Sequence, residues 1–303
     1  MGLSDPDDAA VWKLDERSAL VITTDFFTPV VDDPYAYGAI AAANSLSDVY
    51  AMGGRPFLAL NLSAFPPDLP VEVLQEIVRG AAEKARQAGV VIAGGHTIQD
   101  KEPKFGLVVI GMVGMDEILT KRGAAPGDRL FLSKPIGYGV TTTAIKQQKA
   151  SPEDIAEVVR WMTILNDQAS SLAVEMGLKG GTDVTGFSLL GHAVEMARAS
   201  RGRFRLDSHR IPVLDCAWRY AEMGTFPGGA FDNKHYYQAD IRFPEGFHEL
   251  QKMLLFDPQT SGGLLLCVPE TKADEFTHKA HDRKIPFWEI GEVIEGQGIE
   301  VIA

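Results

Sequence analysis

Five short motifs along this chain each combine an aspartate with small or hydroxylated neighbours. Each motif falls at the end of a predicted strand or on a helix that follows one. Because Mg2+ prefers carboxylate and phosphate oxygens, such a set has the chemistry of a magnesium–polyphosphate site. The motifs are D-D-A-A-V at 7–11, T-T-D-F-F-T-P at 23–29, N-S-L-S-D-V-Y-A-M-G-G at 44–54, G-G-T-D-V-T-G-F at 180–187 and F-D-P-Q-T-S-G-G at 256–263.

Two of these aspartates have an unusual local context. A single aspartate after a strand usually caps a turn, but Asp48 lies inside an Ala-rich predicted helix, where aspartate is unfavourable. Asn44 stands one turn earlier, so the two side chains share a face and indicate close approach by a ligand. Asp183 lies among glycines and threonines ahead of an apolar helix, and a helix N-terminus favours phosphate.

Glycine-rich segments are the candidate phosphate donors. Neither a P-loop motif nor G-x-G-x-x-G occurs in the sequence, and Gly137-Tyr138-Gly139 is interpreted as a loop leading into a helix. Residues 94–97 (G-G-H-T) follow a predicted buried strand, so their backbone amides could reach phosphate oxygens. His96 taken alone is more often a hydrogen-bonded structural histidine, and residues 260–263 have the composition of a plain turn.

Hydrophobic periodicity predicts two α/β units on either side of a turn-rich connector at 121–128. The predicted domains are therefore 1–120 and 121–303. In the first we expect strands at 19–24, 57–65, 90–93 and 107–113, and helices at 37–52 and 73–85. In the second we expect strands at 129–133, 264–268, 288–294 and 299–302, one or two helices within 151–173, a helix at 188–196 and a long loop at 225–244.

Composition excludes several classes of protein. The net charge of -12 argues against nucleic acid or an anionic membrane as the main partner. No apolar run approaches the roughly 18 residues that span a bilayer. The two cysteines, Cys216 and Cys267, lack C-x-x-C spacing and are expected to be core thiols. Few cysteines and the absence of a signal-peptide pattern predict a cytoplasmic protein.

The order of the motifs resembles that of the selenophosphate synthetases (selenide, water dikinases). The resemblance runs from Asp7 to about Ile302. The D-P-Q-T-S-G-G motif is shared more widely by aminoimidazole ribonucleotide synthetase-like enzymes. More specific to the selenium enzyme are F-F-T-P-V-V-D-D-P-Y at 26–35 and D-V-Y-A-M-G-G at 48–54.

This resemblance implies a fold, a reaction and a set of site residues. The fold is a two-domain α/β (α+β) architecture in which the N-terminal domain pairs across a homodimer into a β-barrel. ATP, selenide and water give selenophosphate, AMP and orthophosphate. Mg2+ is held by Asp8, Asp48 and Asp183. The nucleotide site is lined by Asp5, Pro6, Asp7, Asp25 and Asp48, with Gly95, His96 and Thr97 contributed across the dimer.

The family's reactive cysteine or selenocysteine and its nearby lysine are expected upstream of Asp7, where this sequence reads M-G-L-S-D-P. We therefore assign no catalytic nucleophile within the chain and expect it to be the ATP- and Mg2+-binding core. Either a shortened chain or a gene start placed after an in-frame selenocysteine codon accounts for this. Two alternatives stay open, a related kinase or synthetase of the same superfamily and a non-catalytic dimeric scaffold that binds nucleotide.

Overall fold

The computed structural model describes residue 2 and residues 6–303, and its first half is a sheet covered on one face by two helices. The strands are β1 (Ala10–Lys13), β2 (Ser18–Phe27), β3 (Arg55–Phe65), β4 (Val91–Gln99) and β5 (Lys104–Gly114), and the helices are α1 (Pro34–Ala51) and α2 (Val71–Gln87). The strand order is β1-β2-β5-β3-β4. Only the β3–β4 pair is parallel, and α2 supplies the crossover that such a pair requires.

Helices α1 and α2 approach each other through two glycines. A Cβ at Gly38 would lie 1.9 Å from the Ile77 carbonyl oxygen, and one at Gly80 would lie 2.0 Å from the Tyr35 carbonyl oxygen. Only glycine therefore fits at either contact. This packing fixes α1 against the sheet, with α1 contacting both β2 and β5.

The second half is a larger sheet with helices around it. Its elements in chain order are β6 (Asp128–Leu132), α3 (Tyr138–Lys146), α4 (Pro152–Thr163), α5 (Asp167–Glu175), β7 (Gly180–Asp183), α6 (Ser188–Ser200), β8 (Arg203–Asp207), α7 (Asp215–Glu222), α8 (Gly228–Tyr237), β9 (Ile241–Arg242), α9 (Glu249–Leu255), β10 (Leu264–Pro269), α10 (Glu270–Asp282), β11 (Trp288–Ile294) and β12 (Gly298–Ile302). The seven strands follow the order β7-β10-β6-β11-β8-β12-β9.

The two halves confirm the predicted α/β (α+β) fold class, and most predicted elements are present within a few residues. The stretch 151–173 forms two helices, and Ser151 caps the first by accepting from the Asp154 backbone N–H. The predicted loop at 225–244 is wrong, because it contains α8, a 3-10 turn and β9. Buried Ala230, Asn233 and Tyr237 have the helical i, i+3, i+7 spacing that the flanking glycines obscured.

Helix α1 also packs against the second half of the chain. It contacts α4, α5 and β7, and its residues belong to one buried core together with residues of α3, α4 and α7. The Asp48 face of α1 therefore meets the end of β7, where Asp183 lies. The division of the chain at residue 120 stays a prediction.

Candidate active site

Asp48 lies on α1 and faces the strands of the first sheet. Its carboxylate accepts a hydrogen bond from Thr23 Oγ1 on β2. Burial raises the pKa of Asp48 well above its ordinary range, and the neighbouring carboxylate of Asp183 raises it further. Asp8 adds to this effect, whereas the hydrogen bond from Thr23 opposes it. Asp48 is thus a carboxyl group held among other carboxyl groups.

Asp183 ends β7 and is buried against the same side of α1. Burial raises its pKa to about 6, Asp8 contributes in the same direction, and a hydrogen bond from Ser47 opposes the shift. Asn166 Nδ2 donates to Ser47 Oγ at 2.9 Å, which holds the serine in place. The side-chain oxygen Oδ2 of Asp183 is buried without a hydrogen-bond partner among the described residues.

Asp8 joins these two aspartates from the N-terminal segment. Thr182 Oγ1 donates to Asp8 Oδ1 at 2.8 Å, and Lys121 Nζ lies 3.0 Å from the same oxygen. Lys121 also forms an ion pair with Glu195 at 3.0 Å. Burial lowers the pKa of Lys121, but Asp8 and Glu195 outweigh it and leave the pKa above its ordinary value. A protonated lysine therefore neutralises part of the carboxylate charge.

Asp25 and Asn44 form a second polar group beside this cluster. Asn44 Nδ2 donates to Asp25 Oδ2, and Asn44 Oδ1 accepts from the Ser261 backbone N–H at 2.7 Å. Ser45 Oγ donates to the Asp25 carbonyl oxygen at 3.0 Å. Burial raises the pKa of Asp25, while the hydrogen bond from Asn44 lowers it.

Pro6 and Asp7 line an open cavity of about 400 Å³ next to Asp8. Lys121 and Arg198 also line it together with Glu195, so side chains of both charges face this cavity. The Lys121 backbone N–H donates to Asp7 Oδ2 at 3.2 Å. Burial raises the pKa of Asp7 to about 6, and Asp8 adds to the shift. The cavity provides room for a charged group beside the carboxylates.

Gly95, His96 and Thr97 lie apart from the carboxylates within one chain. They belong to β4, an exposed edge strand, where they pair with residues 61–63 of β3. Two strands separate β4 from β2, which carries Asp25. At about 4.8 Å per strand the separation is roughly 14 Å. Within one chain these three residues therefore do not contact the aspartates, and their contribution from another copy stays a prediction. Asp5 lies outside the described residues.

The chemistry of the carboxylates fits a hard divalent cation. Asp8 Oδ2 and Asp183 Oδ2 are both buried without hydrogen-bond partners among the described residues, and burial together with neighbouring carboxylates raises the pKa values of Asp48 and Asp183. Oxygen ligands of this kind suit Mg2+. Within residues 2 and 6–303, however, no three His, Cys, Asp or Glu side chains are arranged to hold one ion. Mg2+ is usually held by one or two carboxylates together with substrate phosphates and waters, so these aspartates fit an ion that a bound triphosphate also ligates.

The D-P-Q-T-S-G-G segment is more than the plain turn expected from its composition. Gln259 Oε1 accepts from the Gly137 and Tyr138 backbone N–H groups at 3.0 Å, and Asp257 Oδ2 accepts from that of Gly139 at 2.8 Å. The predicted loop leading into a helix at Gly137 is confirmed, since α3 begins at Tyr138. Side-chain oxygens already accept hydrogen bonds from these three amides, so the amides are not free to bind a phosphate.

Sequence reasoning missed four residues that shape the site. Thr23, Ser47, Thr182 and Lys121 contact the predicted aspartates directly. Three of them, Thr23, Ser47 and Thr182, lie within the quoted motifs one or two positions before an aspartate, so their hydroxyl groups were a usable signal. Lys121 was assigned to a connector, and its contact with Asp8 spans more than a hundred residues, which no local pattern encodes.

Comparison with known proteins first defines the class. The family model "AIR synthase related protein, N-terminal domain" matches residues 6–113, and "AIR synthase related protein, C-terminal domain" matches residues 125–303. A solved structure, "AaThiL complexed with AMPPCP and TMP", has a TM-score of 0.72 at 20% identity and covers 97% of this chain and 87% of that one. The chain is therefore an AIR synthase related protein with that fold.

Closer relatives narrow the class to one family. The selenide, water dikinase of Carboxydothermus hydrogenoformans is 45% identical over 302 residues, which is 100% of this chain and 88% of the relative. The enzyme of the same name from Myxococcus xanthus is 47% identical over 305 residues, covering 100% and 87%. The chain belongs to the selenide, water dikinase family. In the described residues no helix is both long and apolar enough to cross a membrane.

Proposed function

We propose that this chain catalyses, or forms the nucleotide-binding core for, the synthesis of selenophosphate from ATP, selenide and water, with AMP and orthophosphate as the other products. The single observation that carries the proposal is 45–47% identity to selenide, water dikinases over the whole chain. The convergence of Asp8, Asp48 and Asp183 supports it, because these were the predicted metal ligands. The two buried free cysteines agree with a reducing compartment, and we propose the cytoplasm.

The proposed roles follow from the contacts of each side chain. Asp8, Asp48 and Asp183 would hold Mg2+, which when bound neutralises triphosphate charge during phosphoryl transfer. The ammonium of Lys121, which pairs with Asp8, would contribute further positive charge beside the triphosphate. Asn44 fixes the carboxylate of Asp25 at the nucleotide site. Pro6 and Asp7 would line the nucleotide through the adjacent cavity.

We further propose that two copies form the complete site. The face of the first sheet opposite α1 exposes large apolar side chains. Strand β4 pairs with β3 on one side and, within the described residues, leaves its other edge open, and proteins normally cover both kinds of surface. A second copy would cover both and would bring Gly95, His96 and Thr97 of the partner subunit to the carboxylates. The exposed apolar residues of this sheet are Trp12, Phe26, Phe57, Leu60, Val91, Ile98 and Met112.

An assay of AMP formation tests the proposed reaction. The chain is assayed as printed and after extension by a family segment that carries the reactive Cys and the Lys. We expect selenide-dependent AMP formation by the extended chain and its loss in Asp48→Asn. ATP consumption that is independent of selenide would instead indicate a related kinase or synthetase. Nucleotide binding without turnover in either form would indicate a scaffold.

A further inference from the structure

A cavity of about 370 Å³ lies beside α4 and α5, outside the proposed nucleotide site. Four cationic side chains line it, Lys84, Lys134, Arg160 and Lys284, against the single carboxylate of Asp167. When all five are ionised the lining carries three excess positive charges. The whole chain carries a net charge of -12. A local excess of cations in so acidic a protein needs a reason, and an anionic ligand is the simplest one.

Lys134 forms the deepest part of this lining. Its side chain is almost fully buried, and Nζ donates to the carbonyl oxygens of Ile164 at 2.7 Å and Ser261 at 2.8 Å. A lysine ammonium has three N–H donors, and within the described residues two of them have acceptors. Burial lowers the pKa of Lys134 to about 7, the carboxylate of Asp183 opposes this shift, and the nearby ammonium of Lys84 adds to it. An anion in the cavity would offset the burial of this ammonium and the repulsion from Lys84.

The start of α5 adds backbone donors to the same cavity. Residues 166–169 line it, and Asn166, at the N-cap position, makes no side-chain hydrogen bond to the helix. Asn166 Nδ2 is used elsewhere, for Ser47 Oγ and the Gly262 carbonyl oxygen. The first backbone N–H groups of a helix have no intrahelical acceptor and carry partial positive charge. They therefore supply hydrogen-bond donors on one wall, while the lysines and the arginine supply charge on the others.

We propose that this cavity binds a phosphate-class dianion, either orthophosphate or a phosphate monoester. Such a ligand matches the charge of the lining and presents several acceptor oxygens to donors on different walls. Carboxylate ligands have fewer acceptor oxygens. Cationic ligands are disfavoured, because the single carboxylate of Asp167 does not offset the charge of the four basic side chains. Orthophosphate and AMP are products of the proposed reaction, so the choice of these two probes rests on the proposed function. The evidence for an anion-binding cavity does not depend on that function.

Isothermal titration with inorganic phosphate, without Mg2+ or ATP and at constant ionic strength, tests this site. We expect saturable binding of one phosphate per chain. The double variant Arg160→Gln with Lys284→Gln removes two exposed charges from the lining and should weaken binding at least roughly tenfold, as expected for losing charge-assisted hydrogen bonds. A matched control, Lys146→Gln with Lys149→Gln, removes the same charge from surface positions outside the lining and should leave the affinity unchanged.

The titration itself can overturn the proposed site, and two further measurements define it. Equal weakening in both double variants would show non-specific attraction and overturn the site, as would the absence of saturable binding at millimolar phosphate. AMP is then added as a competitor, and displacement of phosphate extends the site to monoesters, while no displacement restricts it to orthophosphate. Asp48→Asn should retain phosphate binding even though it loses Mg2+–ATP binding. These measurements therefore distinguish a wrong assignment of the phosphate site from a wrong assignment of the reaction.

Discussion

The Ser261 backbone N–H donates to Asn44 Oδ1 at 2.7 Å, across 217 positions of the sequence. This bond joins the helix that carries Asp48 to the D-P-Q-T-S-G-G segment of the second half. Ser261 adopts a left-handed conformation with φ of 55°, which a serine rarely takes. Lys134 Nζ holds the Ser261 carbonyl oxygen from the other side. The turn is thus fixed by both halves, and in return it fixes Asn44 beside Asp25.

We predict that Asn44→Ala destabilises the protein and weakens nucleotide binding together. The substitution leaves the Ser261 N–H and the Asp25 carboxylate without their partner in a buried setting, which typically costs about 1–3 kcal/mol of unfolding free energy. Urea denaturation measures that loss, and a thermal shift with Mg2+–ATP measures the binding. Gln147→Ala, at an exposed position, is the control. A stability loss below about 0.5 kcal/mol would contradict the proposed bridge.

We predict that Asp48→Asn abolishes the stabilisation by Mg2+–ATP without destabilising the free protein. Burial and neighbouring carboxylates disfavour the ionised Asp48 side chain, so a neutral isostere removes repulsion and retains an acceptor for Thr23. A ligand at one hundred times its dissociation constant adds about 2.7 kcal/mol to stability. Differential scanning calorimetry should show that increment in the wild type and lose it in the variant.

The control for this experiment is Asp282→Asn, which removes the same charge from a side chain that is 83% exposed. It should keep the full Mg2+–ATP increment. If Asp48→Asn also keeps that increment, the assignment of Asp48 as a metal ligand is wrong.

Much of the fold was predictable because its strands and helices have strong local patterns. The alternation in β2 places Ala19 and Val21 in the core, and the glycine pair after Met52 ends α1 as expected. The three aspartates were predictable as a group from the motifs they occupy. What no local pattern encodes is long-range pairing, such as the contact of Lys121 with Asp8 or of Gln259 with the start of α3.

The structure also explains why α8 was missed. Its first two residues are Gly228 and Gly229, which weaken any helical pattern, and its exposed face carries Phe231 and Tyr236 where polar residues are usual. Tertiary contacts compensate locally, because Asn233 Nδ2 donates to the Gly186 and Phe256 carbonyl oxygens. A helix held by such bonds needs little intrinsic propensity.

We predict a dimer in solution that depends on β4. Light scattering coupled to size-exclusion chromatography should give twice the chain mass of 32.9 kDa at micromolar concentration. Val91 and Ile98 are 62% and 54% exposed on this edge strand. The double substitution Val91→Glu with Ile98→Glu places charges in the proposed interface and should give a monomer. Phe231→Glu, at a residue that is 58% exposed on α8, should remain a dimer. A monomeric wild type would contradict the proposed two-copy site.

We predict that Asp257 makes the protein more stable at mildly acidic than at mildly alkaline pH. Burial of its side chain raises the pKa from 3.8 to about 7, although hydrogen bonds from Val140, Gln259 and Gly139 oppose the shift. Because this folded-state pKa exceeds the unfolded-state value, the folded protein binds a proton more tightly than the unfolded chain does. The stabilisation is fully present below about pH 4 and is lost as the pH rises through about 7.

Comparison with Asp257→Asn isolates this contribution, because asparagine keeps an acceptor for the α3 amides and does not titrate. We expect the free energy of unfolding of the wild type, relative to the variant, to fall by roughly 2 kcal/mol between about pH 5 and pH 8. Urea denaturation at unit pH steps measures the difference, and Asp282→Asn serves as an exposed reference that should follow the wild type. Parallel curves for wild type and Asp257→Asn would show that Asp257 is ionised throughout this range and would refute the predicted titration.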